Sequence, residues 1–257
     1  MSDDRNTRET AGDQTGTGGI GRRAFLGAAG AVAVLAPGLG LAAHAFEARP
    51  DGVPASSKHR WGMLVDTTKC KSNCHVCVDA CNKENGLYEE ADPKDTAQYI
   101  RKLTVHDPDT GYTHYLPVMC QHCTHPACVA VCPTGASFKR ADGIVLVDRH
   151  ICIGCRYCMM ACPYKARSFD EYTEKNQKWY NPRGLGCVEG CTMCAHLVDE
   201  GKDPACVTAC NKTGGGAMVF GDLKDPTSEI SKRVATEQTT QIRADLGMDP
   251  GVRYEGI

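Results

Sequence analysis

The stretch CIGCRYCMMACP, residues 152–163, decides how the rest of the chain reads. Cys152, Cys155 and Cys158 follow one another as C-x2-C-x2-C, Cys162 comes after three further residues, and Pro163 closes the run. Three thiols this close in a loop can converge on one point, whereas a fourth displaced onto the next helical turn points elsewhere. Three related patterns surround it. CKSNCHVCVDAC carries Cys70, Cys74, Cys77 and Cys81, and CQHCTHPACVAVC carries Cys120, Cys123, Cys128 and Cys132. CVEGCTMC with the later CVTAC carries Cys187, Cys191, Cys194, Cys206 and Cys210. All 17 cysteines of the 257-residue chain fall in these four groups.

Three other uses of cysteine fit poorly. Disulfides need no adjacent triplets, and an odd total leaves one thiol over. Zinc ribbons pair C-x2-C units across a longer loop and lack a displaced fourth residue. Covalent haem needs C-x-x-C-H, which the chain lacks. The spacing C-x2-C-x2-C-x3-C-P is that of bacterial ferredoxins, where three cysteines hold one 4Fe–4S cubane and the fourth ligates its neighbour.

Internal similarity extends the pattern. LVDTTKC (64–70) matches LVDRHIC (146–152), and PACVAVC (126–132) matches PACVTAC (204–210). Groups one and three are therefore one half-motif, and groups two and four the other. Cross-ligation then predicts four clusters in two pairs. The inner pair, within 120–170, would use Cys120, Cys123 and Cys128 with Cys162, and Cys152, Cys155 and Cys158 with Cys132. The outer pair, from 60–90 with 187–215, would use Cys70, Cys74 and Cys77 with Cys210, and Cys191, Cys194 and Cys206 with Cys81. Pro follows both Cys132 and Cys162, and Asn follows both Cys81 and Cys210, as matched pairs should. Two departures stand out: group one opens with C-x3-C, and Cys187 is surplus. Cys187 is expected to lie outside the ligand sets, with a free buried thiol, an alternative to Cys191 and a cluster-tuning role as its readings. The expected fold is α+β, a duplicated 2×(4Fe–4S) ferredoxin-like architecture of short strands, cluster loops and short helices over 60–225.

The segment IGRRAFLGAAGAVAVLAPGLGLAAHAF (20–46) raises a conflict, since export would expose thiols to an oxidising compartment. Arg22 and Arg23 precede an apolar run that ends in Ala43-His44-Ala45, the form of a twin-arginine signal with cleavage after Ala45. That route carries folded proteins, so clusters can be assembled before export to the periplasm. The competing reading is an uncleaved anchor, but Pro37, Gly38 and Gly40 interrupt the run. Residues 46–59 would then be a linker. A net charge of −2 and 6% aromatic residues argue against nucleic acid. A chain so poor in large apolar side chains needs cohesion from metal, whose binding free energy becomes folding free energy.

The remaining segments read as scaffold. Ile100 to Val118 forms a hairpin about Asp109-Thr110-Gly111, and Asp142-Gly143 turns into a strand from Ile144 to Val147. Residues 226–257 read as a helix and tail, with Asp225 capping the helix and Ile230 and Val234 on one face. His75, His122 and His125 sit in cluster loops and are expected to hydrogen-bond around the clusters, because the cysteines already complete the ligand sets. Lys69, Arg149, Arg156, Lys165 and Arg167 lie beside ligands and either offset cluster charge or are solvated surface.

These motifs resemble the four-cluster electron-transfer subunits of molybdopterin-oxidoreductase complexes, such as polysulfide, nitrite and dimethyl-sulfoxide reductases. RWGMLVDTTKCKSNC, VMCQHCTHPACVAVCPTGASFKRADGIVLVD, CIGCRYCMMACPYKARSF and QIRADLGMDPGVRYEGI are most similar to the exported iron–sulfur subunits of Dsr transmembrane complexes linked to sulfite metabolism. The resemblance implies a periplasmic subunit beside a quinone-interacting polytopic membrane subunit of the polysulfide-reductase type, with a multihaem cytochrome c as a second neighbour. It implies electron transfer without substrate chemistry. No Ser-His-Asp signature appears, and Gly214-Gly215-Gly216 lacks nucleotide-loop spacing. The competing classes are a catalytic iron–sulfur oxidoreductase, which needs an open iron, and a structural metal module that carries no electrons.

Overall fold

The computed structural model describes residues 48–87, 97–172, 175 and 177–257. Arg22, Arg23 and the Ala45 site lie outside the described residues. In chain order the strands are β1 (Trp61–Asp66), β2 (Ile100–His106), β3 (Thr113–Met119), β4 (Ser137–Lys139), β5 (Val145–Val147), β6 (Ser168–Phe169), β7 (Val188–Glu189), β8 (Met218–Asp222), β9 (Thr239–Thr240) and β10 (Val252–Glu255). The helices are α1 (Val76–Asn85), α2 (Ala127–Ala130), α3 (Tyr157–Ala161), α4 (Ala195–Asp199), α5 (Ala205–Thr213) and α6 (Glu229–Thr236).

The plan is a duplication with one copy nested inside the other. In the inner copy β5 pairs antiparallel with β4, Leu146 opposite Phe138 and Val147 opposite Ser137. In the outer copy β1 pairs antiparallel with β8, Leu64 opposite Val219 and Val65 opposite Met218. The Leu-Val-Asp repeats therefore hold the same register. Matching bonds continue past the strands: the Asp66 amide donates to Ala217 O (2.8 Å) and the Asp148 amide to Ala136 O (2.7 Å). Asp66 Oδ1 then accepts from Thr68 N (3.1 Å), and Asp148 Oδ1 from His150 N (2.9 Å). Each aspartate side chain thus folds the backbone into a turn that opens a cysteine loop.

The strand β1, WGMLVD, is apolar up to Asp66 and buried along its whole length, as a central strand covered on both faces requires. It lies between β8 and β10 in a sheet ordered β8-β1-β10-β9. Leu64, Val65, Ile230, Val252 and Tyr254 are completely buried there. Burying each of these side chains contributes about 1.5–3 kcal/mol relative to exposure. The C-terminal segment, expected as helix and tail, thus supplies a sheet strand parallel to β1, Met63 opposite Val252. Its Tyr254 hydroxyl donates to Pro117 O (3.1 Å), and Gln121 Nε2 donates to that hydroxyl (3.2 Å). The tail therefore fastens the outer sheet to the inner copy.

The β2–β3 hairpin forms as expected, antiparallel from Ile100 opposite Met119 to His106 opposite Thr113. The α6 cap differs from expectation. Ser228, not Asp225, is the cap, its Oγ accepting from Ser231 N at 3.3 Å. Asp225 instead closes a turn by accepting from Thr227 N (2.8 Å), which delays the helix start. No helix among the described residues is long and apolar enough to cross a membrane.

Candidate metal centres

In every group the last two cysteines stand four residues apart, as 77/81, 128/132, 158/162 and 206/210. In α1 and α5 that spacing puts both cysteines on one helix a turn apart, whereas Cys132 and Cys162 follow the ends of α2 and α3. Helices α1 and α5 pack together, as do α2 and α3. Each packed pair brings the fourth cysteine of one group to the loop of the other.

The structure places the cysteines in four neighbourhoods. Set A is Cys70, Cys74, Cys77 and Cys210; burial pushes the Cys77 thiol up to about 12, and the sulfurs of Cys210, Cys70 and Cys74 add to the rise. Set B is Cys81, Cys191, Cys194 and Cys206; Cys81 is driven well above the ordinary thiol value by burial, then by the other three. Set C is Cys120, Cys123, Cys128 and Cys162, which line one cavity with Tyr164, Arg167 and Met248. Set D is Cys132, Cys152, Cys155 and Cys158, which line a second cavity with Ser137, Ile153 and Val188. Cys155 is the one exposed cysteine.

The sets also succeed one another. Neighbouring sets lie near enough to oppose one another's ionisation: Cys77 of set A raises Cys206 of set B, Cys120 of set C raises Cys191 of set B, and Cys128 of set C raises Cys158 of set D. Cys191 packs against both hydrophobic cores, the outer one with Cys77, Cys81, Cys206 and Cys210 and the inner one with Cys120, Cys128 and Cys158.

The surroundings suit thiolate bound to metal. Backbone amides donate to sulfur at Cys132 (from Ser137, 3.4 Å), Cys191 (from Met193, 3.4 Å) and Cys210 (from Ala217, 3.3 Å). Asn85 Nδ2 lies 3.5 Å from Cys81 Sγ. Such bonds stabilise a charged sulfur rather than a neutral thiol. The loops turn sharply through left-handed residues other than glycine: His122 (φ 43°), Arg156 (φ 62°), Met193 (φ 55°) and Cys194 (φ 47°). Each such residue costs on the order of 1–3 kcal/mol and persists only where its surroundings hold it. Around Arg156 they are visible: its guanidinium lies 3.6 Å from the Phe169 ring centroid and 2.8 Å from Glu171.

The three loop histidines separate. His75 and His125 are exposed, whereas His122 is fully buried. Burial, with Arg60 and Arg167 nearby, pushes His122 down to about 3, so it is neutral at physiological pH. Its Nδ1 accepts from Val145 N (3.0 Å), which leaves the proton on Nε2. The sequence motifs did not mark the Asn85 contact with Cys81, although its place one helical turn beyond Cys81 was a usable signal.

Cys187 lines neither the set C nor the set D cavity but touches the set D loop. Its sulfur donates to Arg149 O (3.3 Å) and lies 4.0 Å from Cys152 O. The positions of its neighbours explain this: Cys187 leads into β7, which pairs with β6, Phe169 opposite Val188.

A family model described as a 4Fe-4S dicluster domain matches residues 112–223. Iron-sulfur subunit 1 of an Hdr-like menaquinol oxidoreductase from Archaeoglobus fulgidus is 44% identical, the match covering 91% of this chain and 97% of that one. This chain belongs to the 4Fe-4S iron–sulfur subunit family. A tetrathionate reductase subunit from Salmonella typhimurium is 35% identical over 92% of this chain and 88% of its own length. The iron-sulfur cluster-binding subunit of a menaquinone reductase from Nitratidesulfovibrio vulgaris is 33% identical over 77% and 89%. As a member of this family the chain carries 4Fe–4S clusters, and its general role is electron transfer. The α+β content and cysteine loops agree with a ferredoxin-like iron–sulfur fold.

Proposed function

We propose that the chain is a one-electron wire with four 4Fe–4S clusters, held by sets A, B, C and D in that spatial order. The observation that carries this reading is Cys191, which packs against both hydrophobic cores and so stands between the outer and the inner cysteine groups. A bound cubane supplies a centre that gains or loses one electron. The residues' own task is to cage it, shield it from water and donate hydrogen bonds to its thiolates. Complete cysteine sets argue against a catalytic iron–sulfur enzyme, which needs an iron free for substrate. Exposure of Cys155 supports exchange with a partner at the set D end, where Ile153, Tyr157 and Met160 are also exposed.

The finer reading is a subunit of a Dsr-type sulfur-metabolism complex, exported by the twin-arginine route and peripheral to the membrane on its periplasmic side. Its partners would be a quinone-interacting polytopic membrane subunit and a multihaem cytochrome c. Relatives named for menaquinol and menaquinone chemistry support the quinone link. A polysulfide, nitrite or dimethyl-sulfoxide reductase-type complex is the second reading, favoured by the likeness to the tetrathionate reductase subunit.

Anaerobically purified protein should contain about sixteen iron atoms and as many acid-labile sulfides, since each cubane has four of each. Redox titration followed by electron paramagnetic resonance should resolve four reducible centres. About twelve irons would remove one cluster, with the longer Cys70–Cys74 loop of set A as first suspect. Iron without any reducible centre would leave only a structural module. Co-purification from membranes, with haem and quinone assayed in the complex, tests the partners.

A further inference from the structure

Of Lys69, Arg149, Arg156, Lys165 and Arg167, all near cysteines in sequence, the structure separates one from the rest. Lys69 is exposed and paired with Asp66 (2.8 Å), Arg156 is exposed and paired with Glu171 (2.8 Å), and Lys165 is exposed. Arg149 bonds Asn181 Oδ1 (2.8 Å) and Tyr99 Oη (3.0 Å). Arg167 alone is buried against sulfur, with 7% of its surface exposed. Its Nη2 donates to Cys128 Sγ at 3.3 Å and to Ser137 Oγ at 3.0 Å, and no carboxylate among the described residues pairs with it.

A guanidinium cannot escape burial by releasing its proton. The other fully buried arginine among the described residues, Arg183, has a carboxylate, Glu189 at 2.8 Å. An uncompensated buried charge is strongly destabilising, so Arg167 needs negative charge from what it faces. It lines the set C cavity. Its partner Ser137 lines the set D cavity, and the Ser137 amide donates to Cys132 Sγ at 3.4 Å. Arg167 thus touches the cage of set C directly and that of set D through one residue.

We propose that Arg167 is a counter-cation shared by the clusters of sets C and D, raising the reduction potentials of both. This rests on the four-cluster reading. Reduction adds negative charge to a cluster, and a fixed cation in a dry, low-dielectric site stabilises the reduced form more than the oxidised one. Net charge and hydrogen bonds to sulfur are the protein's means of setting such potentials.

The test is potentiometric titration of the full chain, followed by electron paramagnetic resonance, with iron counted in every sample. Arg167→Gln should shift two of the four centres to more negative potential and leave the other two in place. Arg167→Lys keeps the charge and should stay near the wild type. Ser137→Asp sets a carboxylate against the guanidinium and should shift the same two centres in the same direction as Arg167→Gln. Full iron with unmoved potentials in Arg167→Gln overturns the proposal. If Arg167→Gln loses iron, Arg167→Lys decides: retained iron and wild-type-like potentials support the charge, whereas loss there too makes the residue a packing element and overturns it. A wild-type protein with iron but no reducible centre would sink the electron-transfer reading itself, a result distinct from all of these.

Discussion

Arg183 and Glu189 form a buried, two-pronged ion pair, Nη2 to Oε1 at 2.8 Å and Nε to Oε2 at 2.9 Å, with side chains 2% and 1% exposed. Arg183 Nη1 also donates to Gly86 O (3.2 Å) at the end of α1, and Tyr99 Oη donates to Glu189 Oε2 (2.7 Å). The pair therefore ties the approach to Cys191 to the helix that carries Cys81, both in set B. Removing one partner of such a pair costs roughly 3–5 kcal/mol. Asp170 at 3.6 Å stays near Arg183, which puts Glu189→Ala toward the lower end of that range. Chemical denaturation should show the loss, with Glu189→Gln milder because it keeps an acceptor. A change under about 1 kcal/mol would mean the pair adds little beyond packing.

Cys187→Ser should retain the full iron content, because its sulfur bonds Arg149 O outside every set. Cys191→Ser should lose a cluster and loosen the outer unit, since Cys191 packs on both cores. Iron analysis of the two variants reads this directly. Iron lost from the first and kept in the second would invert the assignment of the fourth group.

Gly154 lies in the set D loop at φ +68°, and a side chain there would strike the Gly186 carbonyl oxygen. Gly154→Ala carries the left-handed penalty of about 1–2 kcal/mol and must also push the 184–187 loop away. Lower iron occupancy and a lower Tm are expected. Gly186→Ala is a useful control, since it shares the positive φ but meets nothing within 4 Å, so it should be the milder of the two. Equal effects would show that the close approach is unimportant.

The proposed export route predicts that Arg22→Lys with Arg23→Lys leaves the protein in the cytoplasm with its clusters intact. Fractionation combined with iron assay measures both at once. Periplasmic, cluster-loaded double variant would refute folded export through the paired arginines.

The three-plus-one division within each cysteine group was legible because it is local, set by spacing in a loop and a four-residue step, whereas the pairing of groups rested on the repeat. The hairpin at Asp109-Thr110-Gly111 was legible for the same reason. What escaped is long-range. Val252 to Glu255 is a short alternating run whose partner, β1, lies at Met63 to Asp66, and nothing near either segment announces the pairing. Arg167 and Arg156 also read alike, both beside cysteines. Only tertiary packing buries one beneath Ser137 and sends the other toward Glu171. The missed Asp225 cap is a smaller case, two overlapping turn signals of which Ser228 wins.

Nesting has a consequence for the order of biosynthesis. The sulfurs of the inner pair run from Cys120 to Cys162, so they are all made before Cys191 leaves the ribosome. The outer pair waits for Cys210, and β1 stays without one neighbour until Val252 to Glu255 follows. During that interval the WGMLVD edge is an open, apolar template for misplaced strand pairing. A maturation factor that held residues 61–66 until the chain's later segments arrived would answer that hazard, and cluster loading would then proceed from the middle of the polypeptide outward.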